Sequence, residues 1–297
     1  MIRLSILVAA VLFAAAPAQA SPAEAERTAR EVEAALDNLG GDSFKVERQG
    51  AVRVAQEPDG RYLARLPPLK LRDSQGGHAR IEGATVRVKR GDGKQHQIEL
   101  TLPARIPLID AKGAETHRLE PGRQRFAALW LPAQNNRLDR VDAAYAGLRF
   151  VQTGVALPLI LGDVTVNPAE GGRSQLAFKL AVDPLPPADG AASMPARLDG
   201  RGTLGPALAS PFGTAGRLDM VAEELDGLVG YLSRQRKDPA ALNAFATATI
   251  LRTLGKPRKL AEDRRVHDYR LDLGAEGQVL LNGLDLSALS QLMKRPQ

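Results

Sequence analysis

Between Phe44 and about Thr203 the apolar residues fall on every second position. The alternation is clear at Val52 and Val54, at Val86 and Val88, and at Ile98, Leu100 and Leu102 running on through Ile106 and Leu108; it returns at Leu176, Phe178, Leu180 and Val182. A period of two belongs to a strand that turns one face to a core and the other to solvent. The runs are separated by turn chemistry: Pro58-Asp59-Gly60, Gly91-Asp92-Gly93, Asp110-Ala111-Lys112-Gly113 and Ala169-Glu170-Gly171-Gly172. Short strands joined by tight turns make an antiparallel meander rather than βαβ units.

Two features predict that the sheet is long and bent. The apolar phase slips by one residue between Ile81 and Val86 across Gly83, and again between Leu161 and Val164 across Gly162. A bulge or glycine kink in a continuing strand produces such a slip. Leu-Pro pairs recur at Leu66-Pro67, Leu102-Pro103 and Leu157-Pro158. Proline cannot donate to a ladder, so these points are expected at strand edges or breaks. A curling sheet with an alternating Leu/Val/Ile face can enclose an apolar groove, whereas small barrels and sandwiches more commonly fill their interiors with side chains. The pattern leaves both outcomes open.

Helical spacing appears at the two ends. Ser21-Pro22-Ala23-Glu24 is a capping box with proline at the first helical position, followed by Ala25, Ala29, Val32, Leu36 and Leu39 and stopped by Gly40-Gly41. The Pro-rich stretch 184–196 reads as a long loop and a subdomain boundary. Strands near Arg197–Leu204 and Gly216–Ala222 precede a short helix over Leu225–Arg236. A longer helix is capped by Asp238, opens on Pro239, and is stopped after Leu254 by Gly255 and Pro257. A hairpin of Asp268–Leu273 with Gln278–Leu281 and a terminal helix from Leu286 to Met293 complete the chain. The expected fold is α+β and predominantly antiparallel β. It is a long curved sheet, or an open barrel or sandwich, with an N-terminal helix and C-terminal helices packed on it, and residues 21–297 form a single β-rich domain.

The first twenty residues change the picture from fold to address. Arg3, an apolar run from Leu4 to Ala16, and Pro17 before Ala18-Gln19-Ala20 make up an export signal with cleavage after Ala20. The apolar run is shorter than the roughly 20 residues that cross a bilayer, so the mature chain is expected in the periplasm with no transmembrane segment. The chain has no cysteine. Disulfides, thiol catalysis and thiolate metal sites are therefore excluded, as is a lipidated cysteine at the cleavage point. The formal charge of +6 becomes +5 once Arg3 leaves. A mildly basic exported chain suits anionic lipid rather than nucleic acid, which is not an expected partner; a membrane protein is the other candidate.

Candidate chemistry is sparse. Gly200-Arg201-Gly202-Thr203-Leu204-Gly205 fits the dinucleotide fingerprint, but Pro206, Pro211 and Gly213 follow it and forbid the helix the phosphate needs. His78, His96, His117 and His267 stand apart from any metal spacing and read as surface or turn residues. There is no nucleophile elbow, Ser-x-x-Lys or P-loop. No catalytic residue, cofactor or metal is expected. Trp130, the single tryptophan, reads as a core anchor. Arg234, Arg236, Lys237, Lys256, Arg258 and Lys259 gather positive charge around the ends of the C-terminal helix, with Arg264, Arg265 and Arg270 nearby. They are candidate contacts for anionic headgroups, each contributing ~1 kcal/mol at such a surface. Solvated cations favoured at a helix C-terminus are the plainer account of the same residues.

Three stretches carry a resemblance: Gly60-Arg61-Tyr62-Leu63-Ala64-Arg65-Leu66-Pro67, Leu100-Thr101-Leu102-Pro103, and Tyr269-Arg270-Leu271-Asp272-Leu273 with Val279-Leu280-Leu281-Asn282-Gly283-Leu284-Asp285-Leu286. In these the chain resembles uncharacterised exported β-rich envelope proteins of Gram-negative bacteria, of the YdgA and AsmA types. The resemblance implies an envelope role involving lipid and carries over no active-site residue. The expectation is a non-enzymatic periplasmic protein that binds a lipid or other apolar envelope molecule. A packed interaction module of the envelope and a hydrolase of an envelope polymer are the alternatives.

Overall fold

The computed structural model describes residues 22–38, 45–73, 76–91, 95–134, 136–153, 159–183, 196–207, 214–235, 239–260 and 265–286. The expected export signal, Gly40-Gly41, Leu157-Pro158, the expected loop up to residue 195 and the expected terminal helix beyond Leu286 lie outside the described residues. The rest is an α+β fold dominated by one antiparallel sheet that curves without closing.

The first half of the sheet consists of long strands, each broken once. Strands β1 (Lys45–Arg48) and β2 (Arg53–Gln56) are two halves of the first. They are followed by β3 (Tyr62–Arg65) with β4 (Leu69–Arg72), β5 (His78–Ile81) with β6 (Thr85–Arg90), β7 (His96–Thr101) with β8 (Ile106–Ile109), and β9 (Glu115–Glu120) with β10 (Arg123–Leu131). One set of halves pairs in the order β2-β3-β6-β7-β10, the other in the order β1-β4-β5-β8-β9. Both sets end on β11 (Arg137–Gln152), which runs through unbroken apart from one irregularity.

The breaks line up as a crease. They fall at Gly50, at Pro67-Pro68, at Gly83, at Pro103-Ala104-Arg105, at Gly122 and at Gly147, and the four glycines all have positive φ (118°, 82°, 66° and 71°). Bonds cross from break to break: Gln49 N–H to the Pro68 carbonyl at 2.9 Å, and Leu66 N–H to the Ala84 carbonyl at 3.0 Å. Where β7 gives way to β8, the Gln124 amide replaces a backbone partner, accepting from Leu102 N–H at 2.9 Å and donating to the Leu102 carbonyl at 2.8 Å. Gly83 and the two Leu-Pro pairs that can be seen thus sit at strand breaks, as their chemistry requires. The bulge or kink expected at Gly162 is not there: β12 is regular, with Gly162 and Val164 on one face and Leu161 on the other. The irregularity belongs to the neighbouring β11, where Gly147 is an extra residue between Ala146 and Leu148.

Beyond β11 the meander continues regularly through β12 (Leu159–Pro168), β13 (Ser174–Asp183), β14 (Ala196–Pro206) and β15 (Thr214–Glu223). Strand β15 pairs with β17 (Arg265–Leu273), whose far side carries β16 (Lys256–Lys259) at one end and β18 (Val279–Leu281) at the other. β19 (Leu284–Asp285) closes a last turn on β18. The fingerprint-like glycines Gly200, Gly202 and Gly205 lie within β14, so the third of them sits in a strand and not in the first turn of a helix.

Two helical caps cover the two ends of this sheet. Helix α1 (Pro22–Asp37) starts at the proline that the capping box predicts and buries Thr28, Val32 and Leu36. They meet Tyr62, Ala64, Leu66, Val88, Ile98, Ala128 and Trp130, which makes Trp130 the expected core anchor. Full burial of Val32 and Leu36 stabilises by about 1.5–3 kcal/mol each. Helices α2 (Leu225–Arg234) and α3 (Pro239–Leu254) form the second cap. There Leu225, Val229, Tyr231, Leu232 and Ala248 pack on Ala222, Tyr269 and Leu281.

The histidines correct the sequence expectation. His96 is 3 % exposed and His267 6 % exposed, so both belong to the interior. His96 Nε2 lies 3.3 Å from Glu31 Oε2 on α1, and the Trp130 ring stands edge-on to the imidazole at 5.6 Å. Arg90 completes this polar seam, reaching Glu31 at 3.2 Å and donating to Thr28 Oγ1 at 2.9 Å, while Tyr62 O–H donates to Glu24 at 2.8 Å. The bonds of Arg90 and Tyr62 tie α1 to the sheet, while Glu31 Oε2, His96 Nδ1 and Trp130 Nε1 are buried without a hydrogen bond.

Candidate functional site: an apolar trough between two cores

Cross-strand register shows that both caps sit on one face. Phe126, Ala143, Val166, Leu176, Gly202, Leu218, Leu271 and Leu281 form a single row across the strands, and it begins in the α1 core and ends in the α2/α3 core. Directly opposed residues project to the same side of a sheet. Between the caps lie β11, β12 and β13, whose apolar residues, apart from Val141 near the start of β11, belong to neither core.

The next rows of this exposed floor are Tyr145-Val164-Phe178, Leu148-Gly162-Leu180 and Phe150-Ile160-Val182. All of these side chains are half-buried. Glycines keep the floor low. The Phe178 ring lies directly over Gly200 and the Leu180 side chain over Gly162, each in space a Cβ would occupy. At the end near the crease, His117 stacks on Phe150 with ring centroids 5.1 Å apart. Burial pushes the Tyr145 phenol above its ordinary pKa. From β10 to β14 are four strand spacings, or ~19 Å, and ten residues of strand extend ~33 Å. The result is an elongated apolar trough, walled at one end of the sheet by α1 and at the other by α2 and α3.

The opposite face is charged and cross-paired. Lys179 faces Asp199, Arg201 faces Asp219, and Asp219 faces Arg270 across adjacent strands. Arg217 lies 2.6 Å from Asp272, and Arg258 lies 2.8 Å from Asp268. The hydrogen-bonding guanidinium in each pair holds the carboxyl below its ordinary pKa. Two clefts open on this side. One, of about 730 Å³, lies at the strand ends by Arg173, Arg217, Asp272 and Gln278. The other, of about 580 Å³, runs among Lys179, Asp199, Arg201, Asp219, Lys256 and Arg270. Neither sets a nucleophile beside a base, and among the described residues no group of His, Asp and Glu could hold a metal ion.

The six cations singled out in the sequence do not form one patch. Arg236 and Lys237 lie outside the described residues. Arg234 is exposed at the end of α2. Lys256, Arg258 and Lys259 are all exposed on β16. Lys256 and Arg258 stand in register with Asp268 and Val266, on the side away from the helices, and Arg258 is committed to Asp268. Lys259 faces Arg265 on the helix side.

The alternation of Leu176, Phe178, Leu180 and Val182 marked one wall-to-wall strand of the trough, but Tyr145, Leu148, Phe150, Ile160 and Val164 could not be assigned to it. Their alternation looks like that of any core strand, and only the placement of the helices leaves it uncovered. Among the described residues no helix is long and apolar enough to cross a membrane. Comparison of the chain with protein-family models, with curated proteins and with solved structures gives no match, so its function has to be argued from its own surfaces.

Proposed function

We propose that the chain is an exported periplasmic protein that binds, without chemical turnover, a lipid or another apolar envelope molecule along β11–β13. The observation that carries this reading is the apolar floor of Tyr145, Leu148, Val164, Phe178 and Leu180 between two separately closed cores. Half-buried apolar side chains flanked by packed elements favour a ligand that removes them from water, at about 25 cal/mol per Å² of apolar area. The long, shallow shape suits an extended chain, and the charged reverse face keeps the sheet soluble.

The test is native mass spectrometry with lipid extraction on mature protein purified gently from its host's periplasm, paired with uptake of an apolar fluorescent probe. A defined bound lipid, and probe uptake at least tenfold weaker in Val164→Asp and Phe178→Asp at unchanged circular dichroism, are expected. Lipid-free protein that also fails to take up the probe overturns the reading.

A further inference from the structure

Helix α3 is apolar on both of its sides. Its inner side packs Ala241, Ala244, Phe245, Ala248 and Leu254 into the second core. Its C-terminal turn is clamped by Tyr269 O–H, which donates to the Leu251 carbonyl at 2.8 Å, and by Asn282 Nδ2, which donates to the Leu254 carbonyl at 2.7 Å. The outer side presents Leu242 (47 % exposed), Ile250 (48 %) and Leu251 (37 %). Those are three of the five large exposed hydrophobics among the described residues, the others being Leu138 and Leu284. Ala246, Thr247 and Thr253 fill the spaces between them. No charged residue occurs from Pro239 to Leu251, and Arg252 is drawn aside to Asp226 at 3.4 Å.

Two of the three threonines of this helix have their hydroxyl protons satisfied within it. Thr249 Oγ1 donates to the Phe245 carbonyl at 2.8 Å, and Thr253 Oγ1 donates to the Thr249 carbonyl at 2.9 Å. Their hydroxyl protons are thus satisfied inside the helix, as a hydrocarbon medium requires. A helix that is apolar all round is ordinarily buried or in lipid, yet this one exposes Leu242, Ile250 and Leu251.

We propose that the outer face of α3 docks in the plane of an anionic phospholipid surface, a role that does not depend on the trough being filled. Size argues against a second copy of the chain. A 16-residue helix is ~24 Å long, and a face ~10 Å wide offers ~240 Å², well short of the ~800 Å² per partner of a stable interface. The same length is shorter than a ~30 Å hydrocarbon core, so the helix lies in the interface rather than crossing it. Charge argues for anionic headgroups. Arg234 is exposed at the end of α2, and Lys259 and Arg265 are exposed opposite each other on the helix side of the sheet just beyond α3, so cations lie on the same side as the apolar face.

The experiment is co-sedimentation of the mature chain with vesicles of phosphatidylglycerol and phosphatidylcholine in equal parts, against vesicles of phosphatidylcholine alone, at low and high salt. Wild type is expected to sediment with the mixed vesicles, less with the neutral ones, and less at high salt. The double variant Leu242→Ser/Ile250→Ser is expected to bind at least tenfold more weakly while its unfolding midpoint stays put, because both side chains are already exposed. Phe178→Asp, which empties the trough, is expected to bind vesicles as wild type does, separating this surface from the trough. The proposal is overturned if wild type stays in the supernatant with both vesicle types, if the double variant binds equally well, or if ultracentrifugation without vesicles shows a dimer that the double variant abolishes.

Discussion

Tyr269 shows how one side chain can report on the attachment of a whole cap. It is 5 % exposed on β17, and its hydroxyl holds the last turn of α3 through the Leu251 carbonyl. Burial pushes its phenol up to about 12, against about 10 in an unfolded chain. A raised folded pKa means that the site's contribution is complete below pH ~10 and is lost as pH rises from ~10 towards 12. Tyr269→Phe should cost about 1 kcal/mol at pH 7 through the lost hydrogen bond. The gap between wild type and variant should then shrink through that alkaline window, as read from denaturant unfolding at successive pH values. A gap that stays constant up to pH 12 would disprove this account. Asp268 and Asp272 work in the opposite sense: their lowered pKa values give a contribution present above the ordinary carboxylate range and lost as pH falls through the folded values. None of this was visible in the sequence, where Tyr269 was one aromatic in a strand and His96 and His267 looked like surface residues. Spacing shows which face a residue takes, but not which helix later lies on it.

Among the elements, the crease is the feature with the sharpest mutational consequence. Gly122 and Gly147 both have positive φ, yet their surroundings differ. A Cβ at Gly122 would run into the carbonyl oxygens of Ala146 and Gly147, whereas one at Gly147 would meet nothing. Gly147→Ala therefore bears only the left-handed backbone penalty, about 1–2 kcal/mol. Gly122→Ala adds a collision with backbone and should cost roughly 3 kcal/mol or more. Thermal or denaturant unfolding of the two variants checks the order, and equal losses would mean that the crease is slack. The sequence marked parts of this line. Gly83 and the pairs Leu66-Pro67 and Leu102-Pro103 stood out because apolar alternation flanks them. Gly50, Gly122 and Gly147 did not, since a glycine in a turn and one in a folded strand look alike until the neighbouring strand is in place. The start of α1 and both ends of α3 were fully legible, because proline at the first turn and glycine past the last act locally.

Taken as a molecule, the protein has two cores on one continuous sheet, with its middle strands hydrogen-bonded on both sides but, among the described residues, uncovered on one face. Local stability follows buried apolar contact. Amide hydrogen exchange should therefore find the slowest amides in β3, β6, β7, β15 and β17, under the caps, and faster exchange in β12 and β13. A bound apolar ligand should slow β12 and β13 selectively; slow exchange there without ligand would indicate a floor already closed. The sequence by itself determined the antiparallel meander, the helices at the two ends, the absence of thiol chemistry and the lack of any recognisable catalytic motif. These follow from periodicity, caps, turns and residue types, which act over a few positions. Only the tertiary structure decided that both caps lie on the same face, that six breaks coincide in one crease, and that β11–β13 and the outer side of α3 remain apolar and, among the described residues, uncovered. Those facts depend on register between residues far apart in the chain, and alternation is the same whether the face it describes is covered or bare.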